Sequence, residues 1–302
     1  MSKQLLSITA IDNHVIGVHH WPAQDAAGTL VWLHGMAEHG GRYGALGETL
    51  SEHGWNLYCP DHRGHGTSID DNAPRGHFAD EDGWDKVIGD ILQVLEHVKP
   101  DRGPLVLGGH SMGSFLALAA AEQAAEQLGG LVLCGSDSHS PWFYRAMTLL
   151  MGWQRRRHGA RGHSPLVHKM TFQTWAASIA DARTEFDWLS TDQDQVDAYI
   201  ADPACGFECT TSTWLALISA LAQIQSGEQL ARLPSLLPIL LLGGRQDPMS
   251  NKGKGMDRLE HILKRRHQHL ERLDCPSGRH EILNDYCAPE VRQTLLQWLA
   301  NL

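Results

Sequence analysis

Compact apolar runs alternate with one-sided apolar stripes along most of this chain. The runs at 30–33, 55–59, 105–107 and 130–134 are of strand type. Pro238-Ile239-Leu240-Leu241-Leu242 is continuous enough for a parallel strand covered on both faces. Tyr43, Leu46 and Leu50 recur at helical spacing, as do Trp84, Val87, Ile88, Ile91, Leu92, Leu95 and Val98, so each set predicts a helix laid on a sheet. Residues 114–121 form a strong helix directly after the 105–107 run. Met256, Leu259, Ile262 and Leu263 mark a later helix, 269–273 a last strand, and Pro289 opens a closing helix carrying Val291, Leu295, Trp298 and Leu299. Before all of these, two β-type runs between Gln4 and His20 flank Asp12-Asn13, which predicts an opening antiparallel hairpin.

The alternation stops between the 130–134 and 238–242 strands. The expected architecture is α/β, a mostly parallel central sheet with an N-terminal antiparallel hairpin, its core made of 1–137 and 226–302 and interrupted by a helical cap at 138–225. Within that insertion Trp142, Phe143, Tyr144, Met147, Leu149, Leu150, Met151 and Trp153 predict a helix that is apolar on more than one face. Such a helix either packs between cap and core or lines an entry for an apolar substrate, which makes Trp142, Phe143 and Met147 candidate substrate contacts. Arg155-Arg156-Arg157 follows as a solvated basic run, with attraction to lipid head groups as the alternative.

Composition narrows the function classes. Of the 302 residues 42% are hydrophobic and 20% charged, which suits a soluble chain with a full core. The net charge of -10 offers a phosphate backbone no attraction, so nucleic acid is not an expected partner. The six cysteines are scattered; Cys205 and Cys209 stand close but lack a second pair to complete a zinc site. All six read as free thiols, with Cys59 and Cys134 small buried hydrophobes ending strand-like runs. Among the 19 histidines the tight pairs His19-His20 and His267-x-His269 lack a third ligand nearby in sequence, so no metal is expected. The opening segment from Met1 to Leu6 lacks the apolar stretch of a signal peptide, which points to the cytoplasm.

The chemistry gathers at strand ends. Gly109-His110-Ser111-Met112-Gly113 places a serine on a strand-to-helix turn, flanked by glycines that let strand and helix approach closely. Its hydroxyl would stand at a helix N-terminus, where developing negative charge is favoured. His34-Gly35-Met36-Ala37-Glu38-His39-Gly40-Gly41 is a glycine-rich loop after an earlier strand, able to turn backbone N–H groups toward an oxyanion. Asp247 follows the 238–242 strand, and Pro276-Ser277-Gly278-Arg279-His280 delivers a histidine to the same edge. Asp61 and Arg63, in a loop of short turns, read as an ion pair that satisfies backbone groups.

These motifs, with Asp61-His62-Arg63-Gly64-His65-Gly66, Gly244-Arg245-Gln246-Asp247-Pro248 and Arg279-His280-Glu281, stand in an order and at spacings that resemble the α/β-hydrolase superfamily. Within it the chain is similar to the monoglyceride lipase and bacterial lysophospholipase group. The first loop reads HGMAEHGG where monoglyceride lipases tend toward HGAGEH. The resemblance implies Ser111 as nucleophile, His280 as general base and Asp247 as the acid that orients it, with the N–H groups of Met36 and Met112 as oxyanion hole. It also implies a single-chain lipid ester as substrate, an acyl-enzyme intermediate and no cofactor. A serine hydroxyl needs an imidazole to take its proton and a carboxylate to fix the imidazole's tautomer, so the implied set is chemically complete. Asp137, at the end of another strand, is the rival for the acid role. Glu38 and His39 read as loop supports, and Glu281 as solvated or structural. Thioesterase or peptidase action on the same triad, or a receptor that keeps the fold for binding, are the alternative functions. Contact with a membrane surface would run through the cap.

Overall fold

The computed structural model describes residues 2–100, 102–226 and 228–302. Eight strands form one sheet: β1 (Gln4–Thr9), β2 (Val15–Trp21), β3 (Gly28–Leu33), β4 (Trp55–Pro60), β5 (Leu105–His110), β6 (Gly130–Cys134), β7 (Ile239–Gly244) and β8 (Leu270–Cys275). Their order is β1-β2-β4-β3-β5-β6-β7-β8, antiparallel across β1, β2 and β4 and parallel from β4 to β8. The hairpin turn falls where Asp12-Asn13 was expected, with Asn13 at φ 67° and Thr9 opposite Val15.

The period-two alternation of the parallel strands sorts their side chains into two cores. Leu105, Leu107, Leu131, Leu133, Ile239 and Leu241 face one core, while Val106, Val132, Leu240 and Leu242 face the other. Helices α1 (Gly44–Glu52) and α10 (Ala288–Leu299) cover the second face, whereas α2 (Gly83–His97), α3 (Met112–Ala124) and α9 (Lys254–Lys264) cover the first. The central strands β3, β5, β6 and β7 are therefore buried on both sides, which is why their sequences read as continuous apolar runs.

Between β6 and β7 lie α4 (Pro141–His158), a bent run of α5 (Pro165–His168), a π turn (Lys169–Gln173) and α6 (Thr174–Ala177), then α7 (Gln193–Ala201) and α8 (Thr211–Ile224). Ser140 and Thr210 cap α4 and α8 through their side chains. Leu217, Leu221 and Ile224 of α8 join the first core, so the insertion is packed onto α2 and α3, which cover that face of the sheet. Among the described residues no helix is long and apolar enough to cross a membrane.

The loop after β4 departs in detail from its expected pairing. Arg63 pairs with Asp90 (2.5 and 2.7 Å) and with Asp12 (2.7 and 2.8 Å) rather than with Asp61. Asp61 instead accepts the N–H groups of Gly40 and Thr67, each at 2.8 Å. Asp61 thus serves the backbone, as expected, whereas Arg63 instead joins two carboxylates distant in sequence.

Candidate active site

Ser111 occupies the turn between β5 and α3 with φ 52° and ψ -120°, a conformation that costs a non-glycine residue about 1–3 kcal/mol. The turn is held because its N–H donates to Cys134 O (2.9 Å) and because both flanking glycines are sterically required. A Cβ at Gly109 would lie 2.3 Å from Gly113 O, and one at Gly113 would lie 2.1 Å from Leu33 O. Although Ser111 stands at the N-cap of α3, its side chain makes no capping bond. The hydroxyl is left free to face the cavity, where it points to Met249 Sδ at 3.7 Å.

Asp247 and His280 arrive from the ends of β7 and β8, both almost fully buried. His280 Nδ1 lies 3.1 Å from Asp247 Oδ2, and Asp247 Oδ1 accepts the Met249 N–H at 2.9 Å. The His280 ring packs in tilted contacts against Trp188 (5.2 Å between centroids) and His110 (4.6 Å). A donation from Nδ1 to Asp247 leaves Nε2 as the basic nitrogen, the tautomer a serine needs. Ser111 and His280 line the same cavity, and the Ser111 hydroxyl must turn from Met249 to reach the imidazole.

Met36 and Met112 also line that cavity, and their N–H groups find no acceptor among the described residues. Met112 opens α3, whose first turn leaves its N–H groups unpaired. In the β3 loop Ala37 takes a positive φ of 56°, and its carbonyl is fixed by Tyr199 Oη (2.9 Å) and by the Gly206 N–H (3.0 Å).

Beneath these groups lies a buried charged cluster. Arg42 reaches Glu38 at 2.6 Å and both oxygens of Glu281 at 2.7 Å. Burial opposes ionisation of Glu38, yet Arg42 and His110 hold its carboxyl well below the usual carboxylate range. Burial likewise opposes a charge on His110, and Glu38 at 3.3 Å overrides it to raise the imidazole's pKa. Glu38 thus supports the loop, as expected, and so does His39, bonded to Asp202 at 2.9 Å. Glu281 is structural rather than solvated: it is buried, because Arg42 claims both its oxygens.

Asp137 also lines the cavity, but its carboxylate faces His139 Nε2 at 2.8 Å and the Ser138 N–H at 2.7 Å rather than His280. Of the three candidate substrate contacts, Phe143 and Met147 line the cavity. Trp142 does not: it is 76% exposed, with the Arg145 guanidinium 5.3 Å above its ring. One helical position separates it from Phe143, and that rotation turns it to the outer face.

The cavity encloses about 270 Å³. Its apolar wall includes Phe172, Trp175, Trp214, Leu217 and Leu221, none singled out from the sequence. Trp214, Leu217 and Leu221 follow i, i+3, i+7 spacing on α8, a stripe that the sequence does carry. The six thiols are free, as expected. The expectation that His19 lacks a third metal ligand does not hold in space, since His39 and Asp61 stand beside it. Asp61 is already committed to Gly40 and Thr67, and neither this grouping nor His39–Asp202–Cys205 includes Ser111, Asp247 or His280.

Comparison with known proteins agrees with this geometry. The family described as Hydrolase_4, serine aminopeptidase, S33, matches residues 24–286. The monoglyceride lipase of Rattus norvegicus is 26% identical over 256 residues, spanning 81% of this chain and 74% of its own. The monoglyceride lipase of Homo sapiens is 24% identical over 311 residues, spanning 97% and 88%. A thermostable carboxyl esterase from Bacillus coagulans superposes with a TM-score of 0.88 at 24% identity, over 100% of this chain and 99% of that one, which bears on the fold. A mostly parallel eight-stranded sheet, a serine on a strained turn after β5 and a match over nearly the whole length lead to one conclusion: the chain belongs to the serine aminopeptidase S33 family of α/β-hydrolases.

Proposed function

We propose that this chain is a serine hydrolase that cleaves carboxylic esters of a single apolar acyl chain, in the manner of a monoacylglycerol or lysophospholipid ester. Ser111 Oγ attacks the ester carbonyl as His280 Nε2 takes its proton, and Asp247 stabilises the imidazolium that forms. The N–H groups of Met36 and Met112 receive the oxyanion. Collapse expels the alcohol, which takes the proton from His280, and leaves an acyl-Ser111 ester. Water, deprotonated by His280, then releases the carboxylic acid and restores the serine.

The observation that carries the substrate class is the lining of the cavity: next to Ser111 stand Phe143, Met147, Phe172, Trp214, Leu217 and Leu221. Its volume lies at the small end of ligand pockets, which suits one chain rather than two. An aminopeptidase needs an unpaired carboxylate for the substrate's terminal ammonium. Glu38 and Glu281 are consumed by Arg42 and Asp137 faces His139, which favours esters over peptides.

Residues 138–225 serve as the cap in this reading. Trp142, Leu149 and Trp153 are exposed on α4, and Arg156 and Arg157 follow them, an arrangement suited to transient contact with a lipid surface. Six free thiols accord with a cytoplasmic location. The test is a fluorophosphonate probe followed by a rate profile over esters, thioesters and aminoacyl amides of graded chain length. Labelling confined to Ser111 with esters of medium or long chains turned over fastest supports the proposal; absence of labelling, or amides ahead of esters, overturns it.

A further inference from the structure

A short stretch of the insertion, Asp187-Trp188-Leu189-Ser190-Thr191, is bonded along its length to the loop that carries His280. Arg279 Nη1 donates to Asp187 O (2.5 Å) and to Ser190 O (2.9 Å). The Glu281 N–H donates to Leu189 O at 2.7 Å, and Ser190 Oγ donates to Asn284 O at 2.7 Å. Thr191 bonds the Asp285 carboxylate through its N–H (3.2 Å) and its hydroxyl. Asp285 Oδ2 also accepts the Arg279 N–H at 3.0 Å, so the stretch and the loop share one carboxylate.

The register of these bonds places two rings against each other. The Arg279 side chain and the Glu281 N–H, from the two chain neighbours of His280, grip Asp187 and Leu189, the two chain neighbours of Trp188. Between these bonds the Trp188 and His280 rings meet at 5.2 Å with 35° between their planes. Trp188 is buried and its Nε1 finds no partner among the described residues. Its place is therefore set by the bonds of its neighbours and by packing on Phe172 (5.9 Å) and Trp175 (4.9 Å). The other ring on His280, His110, ends β5 and belongs to the sheet. Trp188 is the ring that the insertion brings to the base. The bond from Nδ1 to Asp247 sets the tautomer of His280 but does not by itself fix the tilt of the ring, which packing must supply.

We propose that Trp188 is a positioning residue for the general base, pinned by the neighbours of His280 so that its ring holds the imidazole with Nδ1 on Asp247 and Nε2 left for Ser111. The insertion then does more than cover the cavity, because seating it completes the alignment of the base. This inference rests on the ester-hydrolase reading and deepens it.

The experiment measures kcat and KM for a soluble short-chain ester in wild type, Trp188→Leu, Trp188→Phe, Arg279→Gln and the Trp188→Leu/Arg279→Gln double variant. Misplacing a catalytic group by about 1 Å can cost about a hundredfold, so Trp188→Leu should lower kcat by about tenfold or more while KM stays within about threefold. Trp188→Phe keeps a flat ring on the imidazole and should recover most of that loss. Arg279 does not line the cavity, so Arg279→Gln should lower kcat several-fold with KM unchanged. If it acts through Trp188, it should cost almost nothing further in the Trp188→Leu background. Where Trp188→Leu does not fold, Arg279→Gln decides alone by its split between kcat and KM. An unchanged kcat in either single variant, a loss carried by KM, or losses that multiply in the double variant overturn the proposal. Fluorophosphonate labelling of Ser111 in the same preparations separates the two readings: complete but slower labelling in the variants accords with a displaced base, whereas an unlabelled wild type is failure of the hydrolase reading.

Discussion

Arg42 and Glu281 form a two-point ion pair, both contacts 2.7 Å long, between the loop after β3 and the loop that carries His280. The same guanidinium holds Glu38 at 2.6 Å, so one buried cation ties the loop of Met36 to the loop of the general base.

Removing that cation should therefore be costly. Arg42→Gln leaves two buried carboxylates without their counter-charge, and loss of one partner from a buried pair typically costs about 3–5 kcal/mol. Glu281→Gln leaves Arg42 paired with Glu38 and should cost clearly less. Urea denaturation checks the ranking; equal midpoints for the two variants would contradict it.

The carboxylate roles give a second ranking. Asp247→Asn should lower kcat by about 10⁴-fold, because the amide favours the wrong imidazole tautomer at His280. Asp137→Asn, whose partner is His139, should cost far less. Steady-state kinetics on folded variants decides the matter, and the reverse ranking would transfer the acid role to Asp137.

Much of this site could be read along the chain because each strand end is marked locally. The turn at Ser111 is bounded by glycines that the close contacts with Leu33 and Gly113 demand, Asp247 closely follows the apolar run of β7, and His280 stands in the short loop after β8. The Arg42 cluster was not legible, since Arg42 and Glu281 lie 239 positions apart and a charged residue in a loop is ordinarily solvated. The insertion was legible only as a break in rhythm. Its α4 carries apolar residues on several faces, and only packing against α8 decides that Phe143 and Met147 look inward while Trp142 looks out.

Acid should weaken the fold through three buried imidazoles near the β3 and β4 loops. Burial lowers the pKa of His34, drives His62 well below its ordinary value, and pushes His65 down to about 3. Below the unfolded value of about 6.5 the unfolded chain binds protons that the folded chain refuses. The stabilisation is fully present above that pH and is lost as pH falls from there toward the folded values. Each imidazole contributes a slope of about 1.4 kcal/mol per pH unit in that window. The urea midpoint should fall steadily from pH 7 to pH 5; a flat profile would contradict the burial of neutral histidines.

Chain-length preference should follow the inward face of α4. Each methylene leaving water is worth about 0.8 kcal/mol, so four of them could raise kcat/KM about a hundredfold in a dry channel. Phe143→Ser and Met147→Ser should flatten the profile over soluble esters, while Trp142→Ser, on the outer face, should leave its shape intact. Equal flattening by all three would instead make α4 a packing element.

The central claim is that Ser111 is the nucleophile, and the most direct measurement is ester turnover by a folded Ser111→Ala variant. Losing the nucleophile should lower kcat by at least about 10⁴-fold, with the melting temperature maintained and no covalent acyl adduct in the intact-protein mass after brief exposure to substrate. A folded Ser111→Ala protein that keeps most of its activity, or still gains the acyl mass, would contradict the account.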